Sequence, residues 1–172
     1  MVELMEIIAK RRSVRAYKSQ DVPEEKLGRV LEAARLAPSA SNRQPWKFVV
    51  VQDPQKRREL AKAARGQAFV GEAPVVIVGV ALEPERVMSC GVPAYAVDLA
   101  IALTHITLAA QKEGLGTCWI GAFSQEETKQ IVGVPDSYKI VALMPLGYPK
   151  DAPGLTTRKP QEDIVCYERF SE

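Results

Sequence analysis

The segment Lys10-Arg-Arg-Ser-Val-Arg15 places four cations within six residues and contains no acidic residue. Guanidinium groups and a serine hydroxyl are the usual ligands of a phosphate monoester. In an extended segment alternate residues share a side, so that Arg11, Ser13 and Arg15 would point the same way. The alternative is a solvated basic helix end that complements the helix dipole. The residues alone do not decide between the two.

A polar loop, Ala37-Pro-Ser-Ala-Ser-Asn-Arg-Gln-Pro-Trp46, lies between a predicted helix and a predicted strand, where binding loops commonly occur. It contains Gln44 and Asn42, which is the only asparagine in the chain. An amide side chain donates and accepts hydrogen bonds at once, which suits a planar heterocycle with both C=O and N–H groups. A structural turn that uses these side chains for local backbone hydrogen bonds is the alternative.

A glycine-rich segment, Gly114-Leu-Gly-Thr-Cys-Trp-Ile-Gly-Ala-Phe123, follows a predicted helix. It does not match the dinucleotide-binding pattern GxGxxG, because Trp119 stands at the third glycine position and no strand precedes the segment. Gly121 and Ala122 lie just before a predicted capped helix. There they still allow the backbone to approach a flat ligand closely.

Side chains that commonly carry catalysis or bind metals are few. The chain has one histidine, His105, and three cysteines far apart, Cys90, Cys118 and Cys166. A zinc site needs several closely spaced N or S ligands, which this set does not offer. The scattered cysteines also argue against a disulfide framework and favour a reducing cytoplasm. If the protein is an enzyme, we expect a cofactor to supply its chemistry, and we expect His105 and Cys118 to be core residues.

The chain has 172 residues, a net charge of +2, 47% hydrophobic residues and 26% charged residues. These values are typical of a single soluble domain over residues 1–172 and exclude a disordered chain. A net charge near zero, with no aromatic residues among the clustered cations, argues against nucleic-acid binding. The acidic N-terminus argues against a signal peptide. Polar residues interrupt the most apolar region, 92–110, so we expect no membrane span and a cytoplasmic protein.

Apolar periodicity predicts the helices and strands that must position these segments. Helices are predicted near residues 4–8, from Pro23 to about 34, and at 53–64, 93–113 and 124–133; strands are predicted at 48–51, 75–80, 117–120 and 140–144. The helix at 93–113 is apolar nearly all round, which predicts that it is buried. The strands are too apolar to leave one sheet face in water. An α+β sandwich with one small sheet under helices fits best.

The C-terminal tail is rich in Pro, Gly, Asp, Lys and Thr from Pro149 to Pro160, and the strand-like run Ile164-Val-Cys-Tyr167 follows. No later element is left in the sequence to cover this run. It can pair with a sheet edge of another subunit, or it can pack on its own chain. We place the intersubunit arrangement first.

Taken together and in order, the basic segment, the polar loop and the glycine-rich segment resemble the nitroreductase family of FMN-dependent oxidoreductases. The resemblance covers essentially the whole chain and extends to Leu146-Gly-Tyr148 and Thr157-Arg-Lys-Pro160. It implies an α/β sandwich whose small, mostly antiparallel sheet is covered by helices. It also implies a homodimer with FMN at the interface and a C-terminal arm exchanged between subunits.

The same resemblance assigns roles to particular residues. It places Arg11 and Ser13 at the FMN phosphate with Arg12 beside them, adds Arg158 to that site, and puts Arg15 near the pyrimidine edge of the flavin. The loop that reaches the flavin of the other subunit would comprise Pro38, Ser39, Ala40, Ser41, Asn42 and Gln44. The backbone beside the flavin N5 would comprise Gly121 and Ala122.

The activity implied is transfer of a hydride from NAD(P)H to flavin N5 and then to an electron-poor acceptor, such as a nitroaromatic or a quinone, by a ping-pong mechanism. No catalytic side chain is required, because the flavin carries the chemistry. The region 66–91 is shorter than in larger members, which predicts a more open site. A flavin reductase, a reductase or dehydrogenase of a specialised metabolite on the same fold, and a non-catalytic FMN-binding protein are the alternatives.

Overall fold

The computed structural model describes residues 3–151, 154 and 156–171. Within them the chain forms six α-helices and four β-strands. The helices are α1 (Leu4–Lys10), α2 (Glu24–Arg35), α3 (Pro54–Ala63), α4 (Ala68–Glu72), α5 (Ala94–Lys112) and α6 (Gln125–Val132), and the strands are β1 (Trp46–Val51), β2 (Val75–Ala81), β3 (Gly116–Thr117) and β4 (Lys139–Gly147). The five predicted helices are present, and the short α4 was not predicted.

The four strands form one antiparallel sheet in the order β1-β2-β4-β3. Every residue of β2 is buried. Val75 and Ile77 pack in a core with α2 and α5, whereas Val76 and Val78 pack in a second core with α3 and α6. Because successive side chains of a strand point to opposite faces, the continuous apolar run of β2 reflects helices on both sides. The predicted α+β sandwich is confirmed.

Local sequence signals fix several helix ends as predicted. Asp53 caps α3 by accepting a hydrogen bond from the Lys56 N–H at 2.8 Å, and Ser124 caps α6 by accepting one from the Glu127 N–H. Gly133 ends α6 with a φ of 70°. Left-handed backbone is unfavourable for a residue with a side chain and suits glycine, so the glycine predicts the end of the helix here.

The predicted strand at 117–120 is wrong in extent, because β3 ends at Thr117. Thr117 pairs with Leu146, so the next pair in register would place Cys118 opposite Pro145. A proline has no N–H to donate to the ladder, and the pairing stops there. Ile120 rejoins the sheet alone, through two hydrogen bonds with Leu143 of 2.9 and 3.0 Å.

The prediction that the helix at 93–113 is buried all round is also wrong. One face of α5 packs under the sheet, with Leu99, Leu103 and Ile106 fully buried. The opposite face is only partly covered within the described residues, and it lines a groove with Ile101 and Leu108. His105 lies on this face, half-buried, with Nδ1 3.1 Å from the Ala33 carbonyl oxygen, so it is not the core residue that we expected.

The C-terminal tail forms a single 3-10 turn, Gln161–Asp163, and no strand among its described residues. Ile164, Tyr167 and Phe170 are 68%, 81% and 85% exposed. The predicted strand-like run therefore neither pairs with nor packs on its own chain. Exchange between subunits stays a prediction.

Among the described residues, α5 is the one helix with the length and composition of a membrane span, and its contacts with α2 and the sheet are those of a core helix.

Candidate functional site

A cavity of about 520 Å³ lies beside the C-terminal end of α1, and its lining is dominated by arginine. It is lined by Arg11, Arg12, Ser13, Arg15, Gly154, Thr156 and Arg158. The structure therefore brings together the basic segment and the predicted arginine of the tail. No carboxylate of the described residues forms an ion pair with any of these four arginines. The cavity thus holds an uncompensated positive charge, which favours a multiply charged anion.

The basic segment lies in this position because α1 ends and the chain becomes extended. Arg11 has φ −57° and ψ 130°, which closes the helix. Ser13 then forms a parallel bridge with Thr117, and the Val14 N–H donates to the Thr117 carbonyl oxygen at 2.9 Å. Val14 is 5% exposed and points into the core, so that Ser13 and Arg15 on either side of it face outward.

Close packing behind the segment leaves it no room to move inward. A Cβ on Gly116 would lie 2.8 Å from Val14 Cβ and closer still to Val14 Cγ2, which real atoms do not allow. The glycine therefore lets the segment approach β3.

Tyr17 fixes the far end of the segment. Its hydroxyl donates to the Val14 carbonyl oxygen at 2.8 Å, and the Lys18 N–H donates to the Tyr148 carbonyl oxygen at 2.9 Å. Burial raises the pKa of the Tyr17 phenol far above its ordinary value. The hydroxyl therefore stays protonated and remains a hydrogen-bond donor.

Cys118 lies directly behind the cavity and is 2% exposed, as the sequence predicted for a core thiol. The pKa of this thiol is raised, because the effect of burial exceeds the opposing effects of its surroundings. Those opposing effects are the charge of Arg15, a hydrogen bond with Ser13 and the charge of Arg11. The thiol is thus protonated at neutral pH, and the positive field of the cavity reaches it.

The tail contributes Arg158 together with two residues that the sequence did not single out. Arg158 Nη1 donates to the Thr156 hydroxyl at 2.8 Å and to the Thr157 carbonyl oxygen at 2.9 Å. Thr156 and Gly154 also line the cavity. A signal for them was present in the sequence, because hydroxyl groups and the backbone N–H groups of glycine-rich turns are common phosphate ligands.

The predicted loop over residues 38–44 lies elsewhere and lines no part of this cavity. Its backbone is left-handed at Ser41, Asn42 and Gln44, with φ of 55°, 52° and 53°. The Ser39 hydroxyl accepts a hydrogen bond from the Gln44 N–H at 2.9 Å, and Gln44 Nε2 donates to the Asn42 carbonyl oxygen at 3.1 Å. Pro38, Ser41, Asn42 and Gln44 are exposed, and Ser39 and Ala40 are partly exposed.

Gly121 and Ala122 form a third exposed piece, between β3 and α6. Trp119, 41% exposed, lies beside Gly121. Gln67 Nε2 donates to the Ala122 carbonyl oxygen at 3.5 Å. The predicted site residues therefore occupy three separate places in one chain: the arginine cavity, the polar loop and this segment.

Comparison with known proteins identifies the family of the chain. The model of the nitroreductase family matches residues 8–84 and 66–148. The chain is 38% identical over 189 residues to an NADH dehydrogenase from Thermus thermophilus, and the match covers 92% of each chain. It is 30% identical to an FMN reductase [NAD(P)H] from Bacillus subtilis, over 99% of this chain and 75% of the relative.

Solved structures agree with these sequence matches. A nitroreductase family protein from Clostridium novyi superposes with a TM-score of 0.83 at 38% identity, covering 88% of both chains. An NADPH:FMN oxidoreductase from Vibrio harveyi, in complex with NAD+, superposes with a TM-score of 0.89 at 28% identity, covering 98% of this chain and 78% of the other. The family model, the relatives and the solved structures agree, and the chain belongs to the nitroreductase family.

Proposed function

We propose that the protein is an FMN-dependent oxidoreductase that moves reducing equivalents from NAD(P)H to an electron-poor small molecule such as a nitroaromatic or a quinone. The observation that carries the proposal is the arginine cavity, which offers four guanidinium groups and no paired carboxylate in the described chain. A phosphate monoester carries about −1.5 to −2 charges at neutral pH and fits such a cavity. Family relatives named FMN reductase and NADPH-flavin oxidoreductase support the same cofactor.

The side chains of the cavity divide between the phosphate and the ring system of the proposed cofactor. Arg11, Arg12 and Arg158 neutralise the phosphate, and the Ser13 hydroxyl donates a further hydrogen bond to it. Arg15 would lie near the pyrimidine edge of bound FMN, where its positive charge would stabilise the reduced, anionic flavin. Bound FMN supplies the two-electron redox chemistry, so the chain needs no acid or base of its own at the reacting atom.

The two other pieces complete the proposed site. The backbone of Gly121 and Ala122 would lie beside the flavin, where the absence of a side chain on Gly121 permits close approach. The amides of Asn42 and Gln44 would form hydrogen bonds with the heteroatoms of the ring. The electron donor and the acceptor would bind in turn over the same exposed face of the flavin, which would give ping-pong kinetics.

We also propose that the site is completed by a second copy of this chain. The loop over 38–44 and the segment 121–122 both lie outside the arginine cavity. In this proposal the loop of one copy reaches the flavin that the cavity of the other copy binds. The apolar groove of α5 and the exposed apolar tail give a second copy the surfaces that it needs.

The cofactor is tested by the colour of the purified protein. We expect a yellow protein whose visible flavin band is bleached anaerobically by NADH or NADPH. A colourless protein that takes up no added FMN would overturn the proposal. Flavin that binds but is reduced by neither nucleotide would overturn the enzyme activity and leave an FMN-binding protein.

A second candidate function is reduction of free flavin, which the names of the Bacillus subtilis and Vibrio harveyi relatives favour. The two activities are separated by measuring NAD(P)H oxidation with free FMN, a quinone and a nitroaromatic as acceptors. Faster turnover with free FMN than with the other two acceptors would favour the flavin reductase.

A further inference from the structure

A single carboxylate interrupts the buried face of α5. Asp98 is 1% exposed and stands in the first turns of a helix that is otherwise apolar on that face. Its Oδ1 accepts a hydrogen bond from the Ala40 N–H at 2.8 Å. Its Oδ2 has no partner among the described residues.

This arrangement is a costly way to stabilise a helix. A buried polar group without a hydrogen-bond partner is destabilising, and a buried carboxylate more so. An apolar side chain would pack on this face without that cost. What Asp98 alone provides is a fixed acceptor for one backbone N–H of the polar loop.

Ala40 is also held from the other side. Arg86 Nη1 donates to the Ala40 carbonyl oxygen at 3.3 Å, and Arg86 belongs to the connection between β2 and α5. Both backbone groups of Ala40 are therefore engaged by charged side chains. The next two residues, Ser41 and Asn42, have φ of 55° and 52°. Left-handed backbone at residues with side chains is unfavourable unless surrounding contacts impose it.

We propose that Asp98, assisted by Arg86, is a positioning residue that holds the loop over 38–44 in its flavin-binding conformation without touching the cofactor. The inference rests on the proposed function, because it assigns a role to the same loop. If the loop binds the ring system of FMN, Asp98 affects the affinity for the flavin ring. It does not affect the affinity for the phosphate, which the arginine cavity holds.

Riboflavin separates these two contributions, because it carries the same ring system and no phosphate. We expect Asp98→Ala to weaken the binding of FMN and riboflavin by the same factor, about tenfold or more, the loss expected for one hydrogen bond to a charged group. Arg11→Ala is expected to weaken FMN alone. Dissociation constants are measured by flavin fluorescence quenching on the apoprotein.

Further variants separate positioning from folding. Asp98→Asn keeps the Oδ1 acceptor without the charge and is expected to bind FMN more tightly than Asp98→Ala does. Arg86→Ala removes the weaker contact, at a partly exposed residue, and should weaken flavin binding as Asp98→Ala does. Thr128→Val is the matched control, because Thr128 Oγ1 is the other buried side-chain oxygen without a partner among the described residues. It should leave both affinities unchanged.

Trypsin cleavage after Arg43, within the loop, should accelerate in Asp98→Ala and not in Thr128→Val.

The outcomes are distinguishable. If wild-type protein binds neither flavin, the proposed function fails. If wild-type protein binds FMN and both Asp98→Ala and Arg86→Ala bind it equally tightly, with unchanged cleavage after Arg43, the positioning role is wrong and the proposed function stands. An Asp98→Ala loss confined to FMN, with riboflavin unaffected, would also overturn the role.

Discussion

At the scale of single residues, the arginine cavity joins positions that are far apart in sequence. Arg11 follows the first helix and Arg158 lies in the tail, yet both line the same cavity, together with Ser13 of the basic segment. Neither arginine forms an ion pair with a carboxylate of the described residues. A bound anion would offset the charge of both.

We expect Arg11→Ala and Arg158→Ala each to weaken FMN binding by about 1.5–3 kcal/mol, because each removes a charge-assisted hydrogen bond to phosphate. The measurement is titration of the apoprotein with FMN. Arg35→Ala is the control, since Arg35 is exposed on α2 and pairs with Glu32. Unchanged FMN affinity in both cavity variants would refute the phosphate assignment.

Gly116 gives a residue-scale test of how the basic segment is positioned. A Cβ there would lie 2.8 Å from Val14 Cβ and 3.1 Å from Pro149 Cγ, with Val14 Cγ2 nearer than either. We expect Gly116→Ala to lower the free energy of unfolding by about 1–3 kcal/mol, the usual cost of overpacking, and to weaken FMN binding by displacing Ser13.

Gly28→Ala serves as the comparison for that variant. Gly28 lies within α2, and a Cβ added there would meet no other atom within 4 Å, so alanine should raise stability by about 0.4–1 kcal/mol. Denaturant unfolding measures both. A Gly116→Ala protein as stable as wild type, with normal FMN affinity, would mean that the segment tolerates movement away from β3.

At the scale of elements, one ion pair ties the C-terminal end of α5 to α2. Arg29 donates to both carboxylate oxygens of Glu113, at 2.8 and 2.9 Å, and Lys26 Nζ donates to the Glu113 carbonyl oxygen at 2.6 Å. The hydrogen bonds from Arg29 hold the pKa of Glu113 below its ordinary value of 4.5. The folded state therefore binds the proton less readily than the unfolded chain does.

The sign of the pH effect follows from that direction. The contribution of Glu113 to stability is fully present above pH 4.5 and is lost as the pH falls through the lower pKa of the folded state. We expect Glu113→Gln to lower the urea midpoint at pH 7, and we expect the difference from wild type to shrink in acid. Unfolding curves over this pH range test it. A difference independent of pH would show that the charge of Glu113 contributes nothing, and high salt should reduce the effect.

Sequence patterns predicted the elements well where the signal was local. The apolar run of β2, the caps at Asp53 and Ser124 and the left-handed Gly133 each depend on a few neighbouring residues. Prediction was poorer where the cause was non-local. The early end of β3 depends on Pro145, which is distant in sequence and adjacent only in the sheet.

The residues of the candidate site also differ in whether local sequence predicts them. The sequence predicts the basic segment from its local density of cations, and the alternation of an extended segment predicts a shared side for Arg11, Ser13 and Arg15. The burial of Val14 agrees with that alternation. Asp98 was missed as a site residue, because its contact with Ala40 exists only after α5 and the loop have been brought together. The signal available in the sequence is a lone acidic residue on an apolar helix, which by itself indicates only that the helix does not span a membrane.

At the scale of the whole molecule, three features of the single chain offer surfaces on which a second copy could pack. The groove of α5 is lined mostly by apolar residues, together with Thr104 and His105. β1 is an edge strand that pairs only with β2 among the described residues. The tail presents exposed Ile164 and Phe170. An edge strand can pair with an added strand by β-sheet augmentation, and the strand-like sequence of the tail could supply one if it became extended on a second copy.

We therefore expect deletion of the chain from Asp163 onward to weaken a homodimer, because it removes Ile164, Tyr167 and Phe170 and the burial they would gain on a second copy. The deletion keeps Arg158, so the phosphate ligands of the tail are still present. Sedimentation equilibrium should give a higher dimer dissociation constant. If each site is formed by two chains, as we propose, FMN affinity should also become dependent on protein concentration. The control is Glu162→Gln, which changes one exposed charge in the preceding turn and should leave assembly unchanged. A truncated protein that is as dimeric and as stable as wild type would mean that the tail does not cross between subunits, and the groove of α5 would then be the surface left to join them.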